Sequence, residues 1–354
     1  MVIAFVVGLY PYQIGGAEMQ AQEIAIALQK KGYIIHYICY SSRSYASKDF
    51  NVSIIPINRK LDFFYYGTRK NLFNVLDKIR PDIVYHRAFV PYSRFIAQWC
   101  TNNYVPFFFH SADIYTLTRK NSSLYNVISN IWLRYTLKKA TGVICQNIEQ
   151  YEALSKFSIK KVKIIYNMQC KNTSPINLRK DNNIVWIAKF EPAKQPEIFI
   201  ELAERFKNTD VKFTMFSSKC PNTPANRQLL EKINKNSQIT LMEDKDNVYI
   251  NDYLCNTASI LVNTSVSEGI SNTFIQSWMR GVPVVSLNSN PDGWFDKYKI
   301  GGCCNGIISK LDYWIKRILD EKEYCEYSKK SQEFADRFFS PEMITPQLVE
   351  FMNL

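Results

Sequence analysis

Ser267-Glu268-Gly269-Ile270-Ser271-Asn272-Thr273-Phe274-Ile275-Gln276-Ser277-Trp278-Met279-Arg280-Gly281-Val282-Pro283-Val284-Val285 is the stretch that decides the fold of this chain. The apolar run before it, Ser259-Ile260-Leu261-Val262-Asn263, has the length and branching of a buried strand. A turn follows, in which Gly269 can take any backbone angle and Ser271 or Asn272 can cap a helix. The spacing predicts that helix over Thr273–Arg280, stopped at Gly281, a usual left-handed C-cap, with Pro283 beyond it. Val282–Leu287 then reads as a second buried strand.

A strand, an acidic turn, a helix and a strand make a specific kind of site. The helix N-terminus, reached through Gly269, Ile270, Ser271, Asn272 and Thr273, offers unpaired amides and a partial positive charge to a phosphate or oxyanion. Glu268 stands just before those amides, where a lone carboxylate is poor phosphate chemistry but a good acceptor for hydroxyls attached to a phosphate. Gln276, about one turn into the helix, can face the same pocket. A sugar joined to a diphosphate meets both requirements.

Outward from this unit, the same architecture recurs. Strand Val2–Val7 leads through Gly15 and Gly16 to a helix over about Met19–Lys31 that Gly32 ends, and Tyr33–Cys39 is the next strand. This βαβ start argues for a parallel, doubly wound sheet whose ligands sit at the C-terminal ends of its strands. Gly15-Gly16 lies at such an end, although no dinucleotide GxGxxG is present. His110 closes the apolar strand Val105–Phe109 at another. His86 also ends a strand, but no motif lifts it above a packed side chain. Gly142–Cys145 and Val162–Tyr166 complete the first half. The polar stretch from about Met168 to Asn183 reads as the linker, and a second βαβ series opens at Ile184–Ala188. Lys189 and Lys194, across the turn after that strand, can both reach one diphosphate and stabilise charge on it as it departs. Phe213–Phe216 and Ile239–Met242 are further strands, and a nucleotide base is expected at the loops after them. Asn290–Gly293 and Gly301-Gly302 read as loops beyond the last strand, and Leu311–Phe338 as helices. A final helix is capped at Ser340-Pro341-Glu342.

The segment Glu268–Gln276 resembles the signature of the family-4 retaining glycosyltransferases of the GT-B fold, in which a glutamate, seven residues and a second glutamate line the nucleotide-sugar site. Here Gln276 takes the second position, where an amide gives the ribose hydroxyls a weaker, uncharged hydrogen bond. Gly15-Gly16-Ala17-Glu18 is similar to the family's glycine loop over the donor diphosphate, and His110-Ser111-Ala112-Asp113 to its HxxD segment, whose histidine contacts the donor sugar. Ala188-Lys189 stands where members carry Gly-Arg, and Lys194 is the lysine five residues on. Lysine lacks arginine's bidentate fork, so the grip on phosphate is expected to be looser or differently aimed.

The resemblance implies an α/β chain of two Rossmann-like domains facing across a cleft. The acceptor domain is expected at residues 1–168 plus about 339–354, where the last helix crosses back, and the nucleotide-sugar domain at 169–338. It implies a hexosyltransferase-type enzyme that uses a nucleoside diphosphate-sugar, needs no metal or other cofactor and retains anomeric configuration. Its expected catalytic residues are His110, Glu268 and Lys194. Gly15, Gly16, Lys189, Lys194, Glu268, Gly269, Ile270, Ser271, Asn272, Thr273 and Gln276 are expected to bind the donor. A UDP-sugar 2-epimerase of the same fold or a non-catalytic subunit are the rivals; the first needs more histidines and carboxylates at the sugar.

Composition narrows the setting. A chain of 354 residues, 46% of them apolar, can bury two cores, and no apolar run is long enough to span a bilayer. Met1–Val7 has no basic leader or small-residue cleavage site and reads as a strand. Nine unpatterned cysteines fit a reducing cytosol, and three dispersed histidines argue against structural zinc. The net charge of +12 lies wholly in residues 1–168, where 21 Lys+Arg face 9 Asp+Glu. No nucleic-acid motif accompanies it. The excess either draws the protein to an anionic membrane and a lipid-linked or surface-glycan acceptor, as in lipopolysaccharide or capsule synthesis, or is only a lysine-rich composition. Between Tyr115 and Lys139 cations and aromatics interleave, as on a membrane-docking face or on a long helix whose aromatics turn to the core. The expected location is the cytoplasm, peripheral on the inner face of the membrane.

Overall fold

The computed structural model describes residues 1–56, 65–170 and 181–354. The chain forms two compact units, one from Met1–Met168 with Pro341–Leu354 and one from Gln169–Ser340. Most of the expected linker, residues 171–180, lies outside the described residues.

In the first unit the elements run β1 (Val2–Val6), α1 (Gly16–Gln29), β2 (Ile34–Tyr40), β3 (Asn51–Ile55), α2 (Tyr66–Ile79), β4 (Ile83–Arg87), α3 (Ser93–Asn102) and β5 (Phe107–His110). Then come α4 (Ile114–Thr118), α5 (Leu124–Lys139), β6 (Gly142–Cys145), α6 (Ile148–Leu154) and β7 (Val162–Ile164). The strands pair in parallel in the order β3-β2-β1-β4-β5-β6-β7. Both faces are covered, so the strands are continuous apolar runs rather than alternating ones. Phe108 packs on one face with Phe5, Tyr85 and Phe351, while Phe107 and Phe109 pack on the other with Leu133 and Leu137 of α5. β3 is not among the expected strands; it is a short edge strand of which only Ile55 is fully buried.

The second unit contains β8 (Asn183–Ile187), α7 (Pro196–Arg205), β9 (Lys212–Ser217), α8 (Pro224–Lys235), β10 (Ile239–Glu243), α9 (Asn247–Asn256), β11 (Ile260–Asn263) and α10 (Asn272–Trp278). It ends with β12 (Val284–Ser286), α11 (Trp294–Lys297), β13 (Gly301–Cys303), α12 (Ser309–Leu319) and α13 (Glu321–Phe339). Its sheet is also parallel, in the order β10-β9-β8-β11-β12-β13. Trp278 at the end of α10 is fully buried and meets Phe334 of α13 edge-on at 5.2 Å and Phe339 at 6.2 Å. That aromatic cluster fixes α10, and with it the turn that precedes α10, to the body of the unit. α14 (Pro341–Met352) returns to the first unit, where Lys161 donates to the Phe351 carbonyl at 2.8 Å.

Two of the expectations change. Gly281 does close its helix with φ 65°, but Gly269 is not among the residues with positive φ, so the acidic turn makes no use of its freedom. Gly301-Gly302 is not a loop beyond the last strand; it is part of β13, the edge strand beside β12. The pair has no apolar pattern because bare backbone is what the site requires. A Cβ on Gly301, at φ 136°, would lie 1.8 Å from the Val284 carbonyl oxygen, and one on Gly302 would enter the Trp314 ring. Gly32 also has positive φ, 92°, but nothing lies within 4 Å of its missing Cβ. Gly301→Ala is therefore expected to lose about 3 kcal/mol or more in urea unfolding, and Gly32→Ala only about 1 kcal/mol.

Candidate functional site

Lys194 and Glu268 meet at the C-terminal edge of the second sheet. The chain leaves β8, forms a 3-10 turn over Pro192–Lys194 and enters α7 through Gln195, whose φ of 47° is left-handed. The acidic turn leaves the neighbouring strand β11. Thr264 joins them. Its hydroxyl accepts from the Trp186 indole at 3.0 Å and donates to the Lys194 carbonyl at 2.6 Å, while the Val266 amide donates to the Ala193 carbonyl at 2.9 Å. Both loops are thus pinned by their backbones, and the Lys194 ammonium is ion-paired with Glu268 Oε1. Ser265 Oγ donates to the same oxygen at 2.9 Å, and the Glu268 amide donates to Ser289 Oγ at 2.8 Å. The two side chains remain 28% and 18% exposed, so an incoming ligand can still reach them.

The other predicted groups of this unit are placed differently. Lys189 is exposed at the exit of β8. Gly269, Ser271, Asn272 and Thr273 are partly exposed and Ile270 is buried; Ser271 is the N-cap of α10, and its hydroxyl pairs with Thr273 Oγ1 at 2.9 Å rather than capping. Gln276 is buried on α10, 2% exposed. Its backbone carbonyl accepts from Nη1 of the buried Arg280 at 2.9 Å.

In the first unit, Gly15 is the N-cap of α1 and Gly16 its first residue, at the C-terminal end of β1. A Cβ on Gly15 would come 2.3 Å from Glu18 Oε2, the far end of a flexible side chain that can swing aside. His110 ends β5 with no exposure. Its Nδ1 lies 2.8 Å from the Tyr85 hydroxyl, and Arg87 Nη1 approaches the ring nitrogens at 3.0 and 3.2 Å. A guanidinium can only donate, so it must face an unprotonated nitrogen. Burial first, and the Arg87 cation second, hold the His110 pKa well below the ordinary value. Arg87 is itself buried and also donates to Asn167 Oδ1 at 2.6 Å; among the described residues it joins no ion pair. Arg87, Tyr85, Thr264 and Ser289 are not among the residues expected from sequence. Arg87 and Thr264 had one available signal, a polar residue at the end of an apolar strand.

His86, next to Arg87 on β4 and opposite Phe109 of β5, is structural. Its Nδ1–H donates to the Val6 carbonyl and its Nε2 accepts from Ser93 Oγ at 2.7 Å. Among the described residues no group of three or more His, Cys, Asp or Glu side chains is placed to hold a metal ion, and no helix is long and apolar enough to cross a membrane.

Two doubly wound parallel sheets, one in each unit, match the GT-B architecture. Residues 14–168 match the model described as Glycosyltransferase Family 4 and residues 181–299 that described as Glycosyl transferases group 1. The chain belongs to the GT-B glycosyltransferases. Among solved structures, Anabaena HepE in complex with UDP-glucose superposes with a TM-score of 0.78 at 15% identity, covering 100% of this chain and 99% of that one. A variant of S. aureus TarM in complex with fondaparinux, α-GlcNAc-glycerol and UDP gives 0.80 at 12%, with 100% of both chains covered. The lipopolysaccharide outer core galactosyltransferase WaaB in its apo form gives 0.70 at 15%, with 100% and 99% covered. At these identities the likeness is one of fold. No curated protein matched the chain in sequence.

The buried imidazoles set an acid limit on stability. Burial brings the His86 pKa from 6.5 down to about 4, so between those values the unfolded chain takes up a proton that the folded one refuses. The stabilisation is complete above about pH 6.5 and falls as pH drops toward 4, by about 3 kcal/mol for His86, and His110 shifts in the same direction. Denaturation at pH 7 and at about pH 5 is expected to show about 2 kcal/mol of this loss from His86, with a shallower slope in His86→Gln.

Proposed function

We propose that the protein is a family-4, retaining glycosyltransferase that moves a sugar from a nucleoside diphosphate-sugar to an acceptor hydroxyl without a metal ion. The Lys194–Glu268 pair carries this reading. A cation that can hold a diphosphate and a carboxylate that can accept sugar hydroxyls stand side by side, each neutralising the other until substrate arrives. The diphosphate would draw Lys194 to itself and release Glu268 to the sugar. Lys189 would add a second cation, and the amides of Gly269–Thr273 would meet the phosphates. As the anomeric C–O bond to the diphosphate breaks, the acceptor oxygen bonds to the same face, and its proton passes to the departing phosphate oxygen.

His110 enters the proposal through the resemblance of its segment, as the group that positions the donor sugar; its ring has to become accessible before a sugar can touch it. Gly15 and Gly16 would close on the donor, and Gln276 would serve the ribose end of the site. The acceptor we infer is a lipid-linked or surface-glycan intermediate, met at the cytoplasmic face of the membrane. The charge of +12 confined to residues 1–168 supports that part.

Thermal-shift titration with nucleoside diphosphates and their sugars, UDP and UDP-glucose first, tests the donor site. One nucleotide series is expected to raise the melting temperature, equally with and without EDTA, and Lys194→Ala to remove most of the shift. Glu268→Gln is expected to keep the response to the free diphosphate and lower transfer at least about a hundredfold. No shift with any nucleotide would leave a non-catalytic subunit as the better reading. A shift that collapses in EDTA would end the metal-free mechanism.

A further inference from the structure

α5 is amphipathic the wrong way round for a helix that faces only water. Its buried face consists of Ser129, Leu133, Thr136 and Leu137, two of them polar. The opposite face exposes Leu124 (76%), Ile131 (58%) and Tyr135 (39%), with Ile128 half-buried between them. These positions follow at intervals of four, three and four, so they form one stripe along the helix, about 16 Å long. Tyr115 and Tyr125 are also well exposed, at 65% and 59%. Apolar side chains scattered singly need no explanation, but a stripe on one helix face does.

The surroundings of the stripe identify its occupant. Lys138 and Lys139 continue it at the C-terminal end, Arg134 flanks it, Lys120 precedes it, and all four are exposed. From Ile114 to Ile148 the chain has five Lys+Arg and no Asp or Glu. Arg94 lies 3.6 Å from the Trp132 ring centroid, so this tryptophan is held at the side of the helix. Aliphatic and tyrosine side chains ringed by cations that join no ion pair among the described residues match a bilayer whose headgroups are anionic: the stripe enters the acyl boundary and the cations meet the phosphates. A second copy of the chain is a poor match, because apposing two such faces would bring Arg134, Lys138 and Lys139 of each against those of the other.

We propose that the solvent face of α5 docks the protein on an anionic lipid surface, with Leu124, Ile128, Ile131 and Tyr135 inserted and Lys120, Arg134, Lys138 and Lys139 on the headgroups. Its purpose rests on the reading of a membrane-borne acceptor, but the contact itself requires no catalysis. Flotation of the full chain, without substrate, tests it on vesicles of phosphatidylcholine alone or with about one third phosphatidylglycerol. The wild type is expected to float with the anionic vesicles and much less with the neutral ones, and salt is expected to weaken the binding. Lys138→Ala with Lys139→Ala is expected to lower anionic partitioning about fivefold for each cation removed. Ile131→Asp is expected to abolish flotation without moving the melting temperature, since the side chain is exposed. Unchanged flotation in both variants, or no flotation of the wild type, would overturn the proposal. So would a dimer in light scattering that Ile131→Asp dissolves, which would assign the stripe to a second copy. The nucleotide thermal shift is measured on the same variants: a shift retained without flotation defeats only the docking surface, and flotation without a shift defeats only the transferase reading.

Discussion

The hydroxyl of Thr264 carries more of this structure than its size suggests. It accepts from a buried indole and donates to the carbonyl of Lys194, and so ties the exit of β8 to the exit of β11. Neighbouring parallel strands bring those exits close, but only roughly. Two backbone-level hydrogen bonds, through Thr264 and Val266, convert proximity into a defined separation at which an ammonium and a carboxylate pair. Without them each loop would sample several conformations, and the entropy of ordering both long side chains would oppose the pair. The ion pair is the product of the brace, not its cause.

The first unit solves a different problem at the same edge of its sheet. Arg87 and His110 are register neighbours on β4 and β5, and both are buried. A buried guanidinium without a carboxylate is costly unless its protons are accepted by something. Here the acceptors of the two Nη groups are neutral, the imidazole and the Asn167 amide oxygen with the Tyr85 phenol at the edge, while Nε is buried with no hydrogen-bond partner among the described residues. The arrangement works only while His110 is unprotonated, so cation and neutral ring enforce one another. His86 is neutral by the same physics of burial, but all its hydrogen bonds are inward and structural.

Much of this was legible in order along the chain. Continuous apolar runs separated by helical spacing define two doubly wound sheets, and the residues that close those runs are polar for a reason, as His110, Lys189 and Glu268 illustrate. Least legible are residues that work by what they lack. Gly301-Gly302 looked like a loop because glycine carries no pattern, whereas in β13 it is the absence of a Cβ that lets the edge strand approach Val284 and Trp314. β3 escaped for a related reason: an edge strand need be buried at only one end.

Sequence alone therefore determined the fold class, the candidate residues and the placement of excess charge, because these depend on periodicity, composition and local backbone preference. Tertiary structure alone decided which candidates meet. Lys194 and Glu268 are 74 positions apart and pair because parallel register and Thr264 bring them together. Burial divided Gln276 and His110 from the exposed Lys189, and orientation turned the apolar stripe of α5 outward. No local signal encodes either, since burial and facing belong to the packing of a whole sheet and its helices.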